Sequence, residues 1–237
     1  MSEHLGSEKL ENSATCTANA KTLAQTLEWL VDMGVSEAWE DPAMVHAAVS
    51  KKDIADLDEL KRAIAKVETP LKYCATNMVF GVGNPEADVL LLGEAPGAEE
   101  DKQGIPFVGQ SGQLLDKILA AIGLNREKVY ITNILPWRPP GNRTPTTEEM
   151  ATFRPFVIKH INLVAPNVVV CLGGTATKAL LQTNEGIMRL RGRWARVDGI
   201  DADILPTFHP AYLLRSPSQK REVWLDFLNI ANFLGIL

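Results

Sequence analysis

The chain is poor in the residues that hold metals or cross-links. It has three cysteines, Cys16, Cys74 and Cys171, an odd number, widely scattered and without a Cys-x-x-Cys pair. The four histidines, His4, His46, His160 and His209, show no ligand spacing. Together these absences argue against a structural zinc site and against a disulfide framework. A chain without disulfides suits a reducing compartment. No apolar run approaches the roughly eighteen residues that a membrane span needs. The opening segment carries Glu3, Glu8 and Glu11 against Lys9, which is unlike a basic leader. A soluble, cytoplasmic protein with no membrane contact is expected. The sequence also lacks the Gly-Lys-Ser/Thr end of a nucleotide P-loop, which argues against ATP or GTP binding.

Positive charge is scarce overall, with 24 basic and 29 acidic side chains and a net charge of −5. The deficit is local. Residues 1–69 hold 13 acids and 7 bases, whereas from Arg138 onward 12 bases face 8 acids. Charges farther apart than about 8–10 Å are screened, so a polyanion responds to the patch and not to the total. The C-terminal part therefore stays open to a phosphate-bearing partner.

Hydrophobic residues make up 46% of the 237 positions, ample for one α/β domain with an appendage. Residues 1–18 are polar and read as a mobile tail. Leu23, Leu27, Leu30 and Val31, then Ile54, Leu57, Leu60 and Ile64, recur at helical spacing. The division expected is a tail with a helical appendage over 1–69 and an α/β domain over 70–237. In that domain, short apolar runs at 88–92, 129–133, 167–172 and 203–208 alternate with helical patterns at 112–122, 147–164, 175–181 and 218–233. This alternation predicts a three-layer α/β/α sandwich around a mostly parallel, four-stranded sheet.

Right-handed crossovers put the carboxyl ends of parallel strands on one edge, where such sheets bind ligands. Each predicted strand runs there into a chemically distinct segment. The first meets Gly93-Glu94-Ala95-Pro96-Gly97, the second ends at Asn133, the third meets Gly173-Gly174-Thr175, and the fourth meets His209-Pro210. Singly, Phe107 reads as core, His209 as a structural histidine, and Glu99, Glu100 and Asp101 as surface acids.

In order, the wording is more specific. The strings Gly93-Glu94-Ala95-Pro96-Gly97-Ala98-Glu99-Glu100-Asp101 and Gly104-Ile105-Pro106-Phe107-Val108-Gly109 resemble the first motif of family 4 uracil-DNA glycosylases. Tyr130-Ile131-Thr132-Asn133 and Arg138-Pro139-Pro140-Gly141-Asn142-Arg143-Thr144-Pro145 are similar to that family's middle segment. Phe208-His209-Pro210-Ala211-Tyr212-Leu213-Leu214-Arg215 is similar to its closing motif. The resemblance spans about residues 70–236. It implies hydrolysis of the bond between uracil and deoxyribose in single- or double-stranded DNA, leaving an abasic site, by an enzyme acting as a monomer.

The roles it implies are these. Asn133 pairs with the uracil edge, Phe107 stacks on the ring, Gly93 and Ala95 line the pocket, and His209 donates to uracil O2. Glu94 is the first choice for the acid that positions water. Glu100 and Asp101 compete with it, and Asn142 is a possible helper. Arg138, Pro139, Asn142 and Arg143 would grip the DNA backbone, with Gly174 and Thr175 beside them. Tyr212, Leu213 and Leu214 form an apolar wedge, and Arg215 meets a phosphate. Most members hold a 4Fe–4S cluster on four cysteines. Here those positions align with Lys66, Thr69, Trp137 and Phe153, which cannot replace thiolates. No cofactor or metal is expected, and the two aromatic rings would fill the vacated volume. Two rival readings remain, a uracil- or abasic-site-binding protein with little turnover, and a covalent trap. The latter needs a nucleophilic histidine that residues 134–147 do not contain.

Overall fold

The computed structural model describes residues 54–236, and the tail and helices expected before residue 54 lie outside them. Helices α1 (Leu57–Ala65) and α2 (Pro70–Cys74) precede a five-stranded sheet. Its strands are β1 (Val82–Gly83), β2 (Val89–Gly93), β3 (Tyr130–Asn133), β4 (Val168–Leu172) and β5 (Asp203–Thr207), in the order β1-β3-β2-β4-β5. The last four match the four expected runs and pair in parallel. The expected four-stranded sheet gains one edge. Two-residue β1 pairs antiparallel with β3, too short to leave an apolar alternation in the sequence.

Strand β2 sits at the centre, and every residue in it is buried. Its side chains alternate between faces, as the pleat requires. Leu90 and Leu92 pack with α1, α2, α5 (Thr147–Val164) and α6 (Gly174–Leu181), while Val89 and Leu91 pack with α4 (Gln110–Ala121) and α9 (Lys220–Phe233). This is the three-layer sandwich. Leu60, Ile64 and Leu71 belong to the first of these cores, so α1 and α2 pack on the sheet. No helix among the described residues is long and apolar enough to cross a membrane.

Helix α5 spans the expected residues but starts one position earlier in its chemistry. Its N-cap is Thr146, whose hydroxyl accepts from Glu149 N at 3.1 Å while Glu149 Oε2 accepts from Thr146 N at 2.8 Å. Such a reciprocal cap satisfies two orphan donors and is worth about 1 kcal/mol. Three short helices carried no periodicity to reveal them: α3 (Ala98–Gln103), α7 (Ile187–Leu190) and α8 (Pro210–Arg215). Cys171 is a free, buried thiol.

Candidate active site

The connection from β2 turns to β3 on one side, and that from β4 turns to β5 on the other. Between β2 and β4 the strand order therefore reverses, which opens a crevice at their carboxyl ends. Gly93 and Asn133 are direct partners across β2 and β3. The ladder continues one step further, Leu135 N donating to Glu94 O at 3.1 Å, which fixes the Glu94 backbone beside Asn133. On the far side, Gly173 follows β4 with φ 96° against the Cβ of His209.

Gly93 is required by close approach. A Cβ there would lie 2.2 Å from Asn133 Oδ1 and 2.6 Å from Phe107 Cε2. The Phe107 ring in turn lies 5.6 Å, centroid to centroid, from His209 at an interplanar angle of 32°. The crevice thus brings together Gly93, Asn133, Phe107 and His209, as the motifs implied. Asn133 is buried, and its Oδ1 is the one fully buried side-chain oxygen or nitrogen without a hydrogen-bond partner among the described residues. Such an orphan costs about 1–3 kcal/mol unless a ligand satisfies it.

His209 caps α8, its Nδ1 accepting from Ala211 N at 3.1 Å. That bond leaves the proton of the neutral ring on Nε2. Burial, and then the nearby Arg215 charge, push the imidazole down to about 4, with Glu100 opposing. Behind it, Thr207 donates to Asp226 Oδ2 at 2.6 Å, and Arg191 binds both Asp226 and Glu222 while its guanidinium lies 5.5 Å over the Phe208 ring. This network anchors the strand end that carries His209. Nothing in the sequence marked it, because its members lie 19 and 35 residues apart on separate elements.

His160 is likewise held neutral. It stacks on Phe80 at 4.4 Å and contacts Tyr130 Oη at 3.0 Å, and burial pushes it down to about 4. In the unfolded chain both rings take up protons near pH 6.5, whereas in the folded protein they do so only near 4. The unfolded state binds more protons between these values, so stability is complete above about pH 6.5 and falls as the pH drops toward 4. Each ring contributes a slope of up to about 1.4 kcal/mol per pH unit. Urea unfolding from pH 7 to 4 checks this; a flat profile would show that neither ring stays neutral.

The acids that the sequence left unranked separate here. Asp101 is buried and turned toward the α2–β1 connection, its Oδ1 accepting from Thr76 N at 2.8 Å and Asn77 N at 3.1 Å. That correction takes its Oδ1 out of the water-positioning set, since this oxygen serves two backbone amides. Glu100 Oε1 accepts from Val108 N at 3.0 Å and Gly109 N at 2.9 Å. Glu94 lies half-buried directly after Gly93.

The outer residues divide as well. Leu213 is completely buried in the core, because successive residues of α8 point in different directions. It cannot act as part of a wedge, a second correction. Leu214 is 44% exposed, and Tyr212 packs on Phe208 at 5.0 Å. Arg138 Nε donates to Asn142 Oδ1 at 2.6 Å on the exposed turn at 140–142, with Pro139 buried beneath. Arg143 spends its fork on Glu149, at 2.8 and 2.5 Å, pinning the loop to α5. Gly174 and Thr175 are half-buried at the start of α6, and Arg215 is exposed.

The positions aligned with cluster cysteines do not suit iron and sulfide. Lys66 is an exposed helix C-cap and Thr69 the N-cap of α2. Trp137 and Phe153 are buried and meet edge to face at 5.7 Å. Four such side chains supply no thiolate, and two of them fill the space with packed rings.

The model of the uracil DNA glycosylase superfamily matches residues 80–229. A Type-4 uracil-DNA glycosylase of Archaeoglobus fulgidus is 39% identical over 186 residues, covering 76% of this chain and 94% of its own. One from Thermotoga maritima is 43% identical over 160 residues, 66% of this chain and 82% of its own. One from Pyrobaculum aerophilum is 37% identical over 187 residues, again 76% and 94%.

Proposed function

Because this chain belongs to the uracil DNA glycosylase superfamily, we propose that it hydrolyses the N-glycosidic bond of a flipped-out deoxyuridine in DNA, as a base-excision repair enzyme. The observation that carries the reading is the orphaned, buried Asn133 Oδ1 between Gly93 and Phe107. In one orientation, the Asn133 amide accepts from uracil N3–H and donates to O4. Cytosine offers the opposite pattern to that orientation. The backbone at Gly93–Ala95 and the loop at 104–107 close the remaining sides, where a thymine methyl would have to fit.

As the C1′–N1 bond breaks, its electron pair passes to N1 and spreads to O2. His209 Nε2–H donates to O2 there, a neutral donor aimed at developing charge. Glu94 stabilises the cationic sugar and takes the proton of the water that attacks C1′. Asn142, on the exposed turn with Arg138, lies with the DNA-gripping loop. Arg138, Arg215 and the Gly174–Thr175 helix start face the backbone, with Arg143 holding the loop's shape. We read the enzyme as a cytoplasmic monomer that works without a cluster, since its aligned positions carry no thiolates. Iron and sulfide analysis of purified protein checks that last point; stoichiometric amounts would overturn it.

A single-turnover assay on a uracil-containing oligonucleotide, with the undamaged and thymine-containing strands as controls, tests the activity. Free uracil and an abasic strand are the expected products. Binding without release would favour a lesion-binding protein. Leu214 supplies a finer check. Its exposed side chain fills the gap left by the flipped base, and unstacking costs a few kcal/mol in a duplex but little in a single strand. Leu214→Ala is expected to slow duplex cleavage about tenfold while leaving single-strand cleavage within about twofold. Equal losses on both would remove Leu214 from the wedge.

A further inference from the structure

Phe107 is not a glycine, yet its φ is 55°, in the left-handed region. A bulky residue there costs about 1–2 kcal/mol and persists only where its surroundings over-determine it. Three contacts do so. The Arg126 fork donates to Pro106 O, at 3.1 Å, and to Phe107 O. Its Nε is held at 2.7 Å by Asp116 on α4. On the other side, Glu100 Oε1 receives Val108 N and Gly109 N, the two amides that follow the strained residue. The third contact is Gly112, where a Cβ would lie 1.7 Å from Phe107 O.

Glu100 is itself wedged between the two loops of the crevice. Its carboxylate lies where a Cβ on Gly97 would be 2.6 Å from Oε2, and one on Gly109 3.3 Å from Oε1. Carbonyls on one side and amides on the other are thus gripped by opposite charges from α3 and from the loop before β3. The result is one orientation for the Phe107 ring, against Gly93 and 5.6 Å from His209.

We propose that Glu100 and Arg126 are positioning residues, which hold Phe107 in its strained conformation so that its ring lies flat against the departing base. Glu100 then acts as a hydrogen-bond acceptor for main-chain amides and not as the acid that handles water. The inference rests on the glycosylase reading for its substrate. The clamp itself does not.

The experiment compares Glu100→Ala, Glu100→Gln, Arg126→Ala and Arg126→Lys in the full chain. Readouts are single-turnover cleavage at saturating DNA, inhibition by free uracil, melting temperature, and amide hydrogen exchange at Val108 and Gly109 without DNA. Glu100→Ala and Arg126→Ala are expected to lower the cleavage rate about 10²-fold, the scale of an ångström-sized misplacement. Inhibition by free uracil should weaken in parallel, with DNA affinity nearly kept. Glu100→Gln keeps the accepting oxygen and recovers the rate to within about tenfold of the parent. Arg126→Lys does not recover it, because one ammonium cannot reproduce the planar fork across two carbonyls. Exchange at Val108 and Gly109 should quicken in Glu100→Ala and not in Glu100→Gln. A Glu100→Gln protein as slow as Glu100→Ala would overturn the proposal in favour of charge chemistry. So would folded alanine variants that cleave at the parental rate. If Arg126→Ala fails to fold, the Glu100 pair still decides. A parent that leaves uracil DNA intact would sink the glycosylase reading, and hydrogen exchange would still judge the clamp.

Discussion

His209→Ala is expected to lower single-turnover cleavage of uracil DNA by about 10²–10³, the usual scale for one lost donor at developing charge, while DNA affinity changes much less. Three observations set this expectation. The ring lies just past β5 beside the crevice, its Nδ1 is occupied by Ala211 N, and burial with Arg215 keeps it neutral down to about pH 4. A donor that strengthens its bond only as O2 gains charge lowers the barrier without tightening ground-state binding. The same facts separate this role from a structural one. As the N-cap of α8, His209 also supports fold, and losing a cap costs about 1 kcal/mol. His209→Asn retains a capping oxygen, so it should restore most of the stability and little of the rate. A folded His209→Ala protein that cleaves at the parental rate would remove the residue from the mechanism.

The second large effect is expected from one carbon atom. Gly93→Ala places a methyl within 2.6 Å of both Asn133 Oδ1 and the Phe107 ring, so both must shift. Asn133 is on the neighbouring strand, in register with Gly93, and Phe107 is clamped from both sides. The methyl therefore displaces the two groups that read the base. Cleavage should fall about 10²-fold or more, with a stability cost of about 1–3 kcal/mol from overpacking. Single-turnover kinetics beside denaturant unfolding checks both numbers. Parental cleavage by Gly93→Ala would mean that the uracil edge is read elsewhere.

Much of this site is legible in the sequence itself. Apolar runs at 88–92, 129–133, 167–172 and 203–208 are local signals, because a strand buried on both faces must be apolar throughout. All four became strands of the sheet. The span of helix α5 was equally plain, since its period lies within one segment, although its cap is Thr146. Gly93, Asn133 and His209 could be placed on one edge because parallel strands share a carboxyl end, a rule that needs no side-chain detail. The family wording added which chemistry collects there.

What the sequence left open depends on the direction of single bonds. Glu94, Glu100 and Asp101 are close in the chain and alike in charge. Only the fold turns Asp101 toward Thr76 and Asn77 and Glu100 toward Val108 and Gly109. Leu213 and Leu214 are adjacent and chemically equivalent, yet one turn of α8 buries the first and exposes the second. Arg126 and the Arg191–Asp226–Thr207 network join elements far apart in the chain. Composition and periodicity report which face of an element is apolar. They carry no record of which distant backbone amide or carbonyl meets a given side chain, because that pairing exists only once the layers have packed.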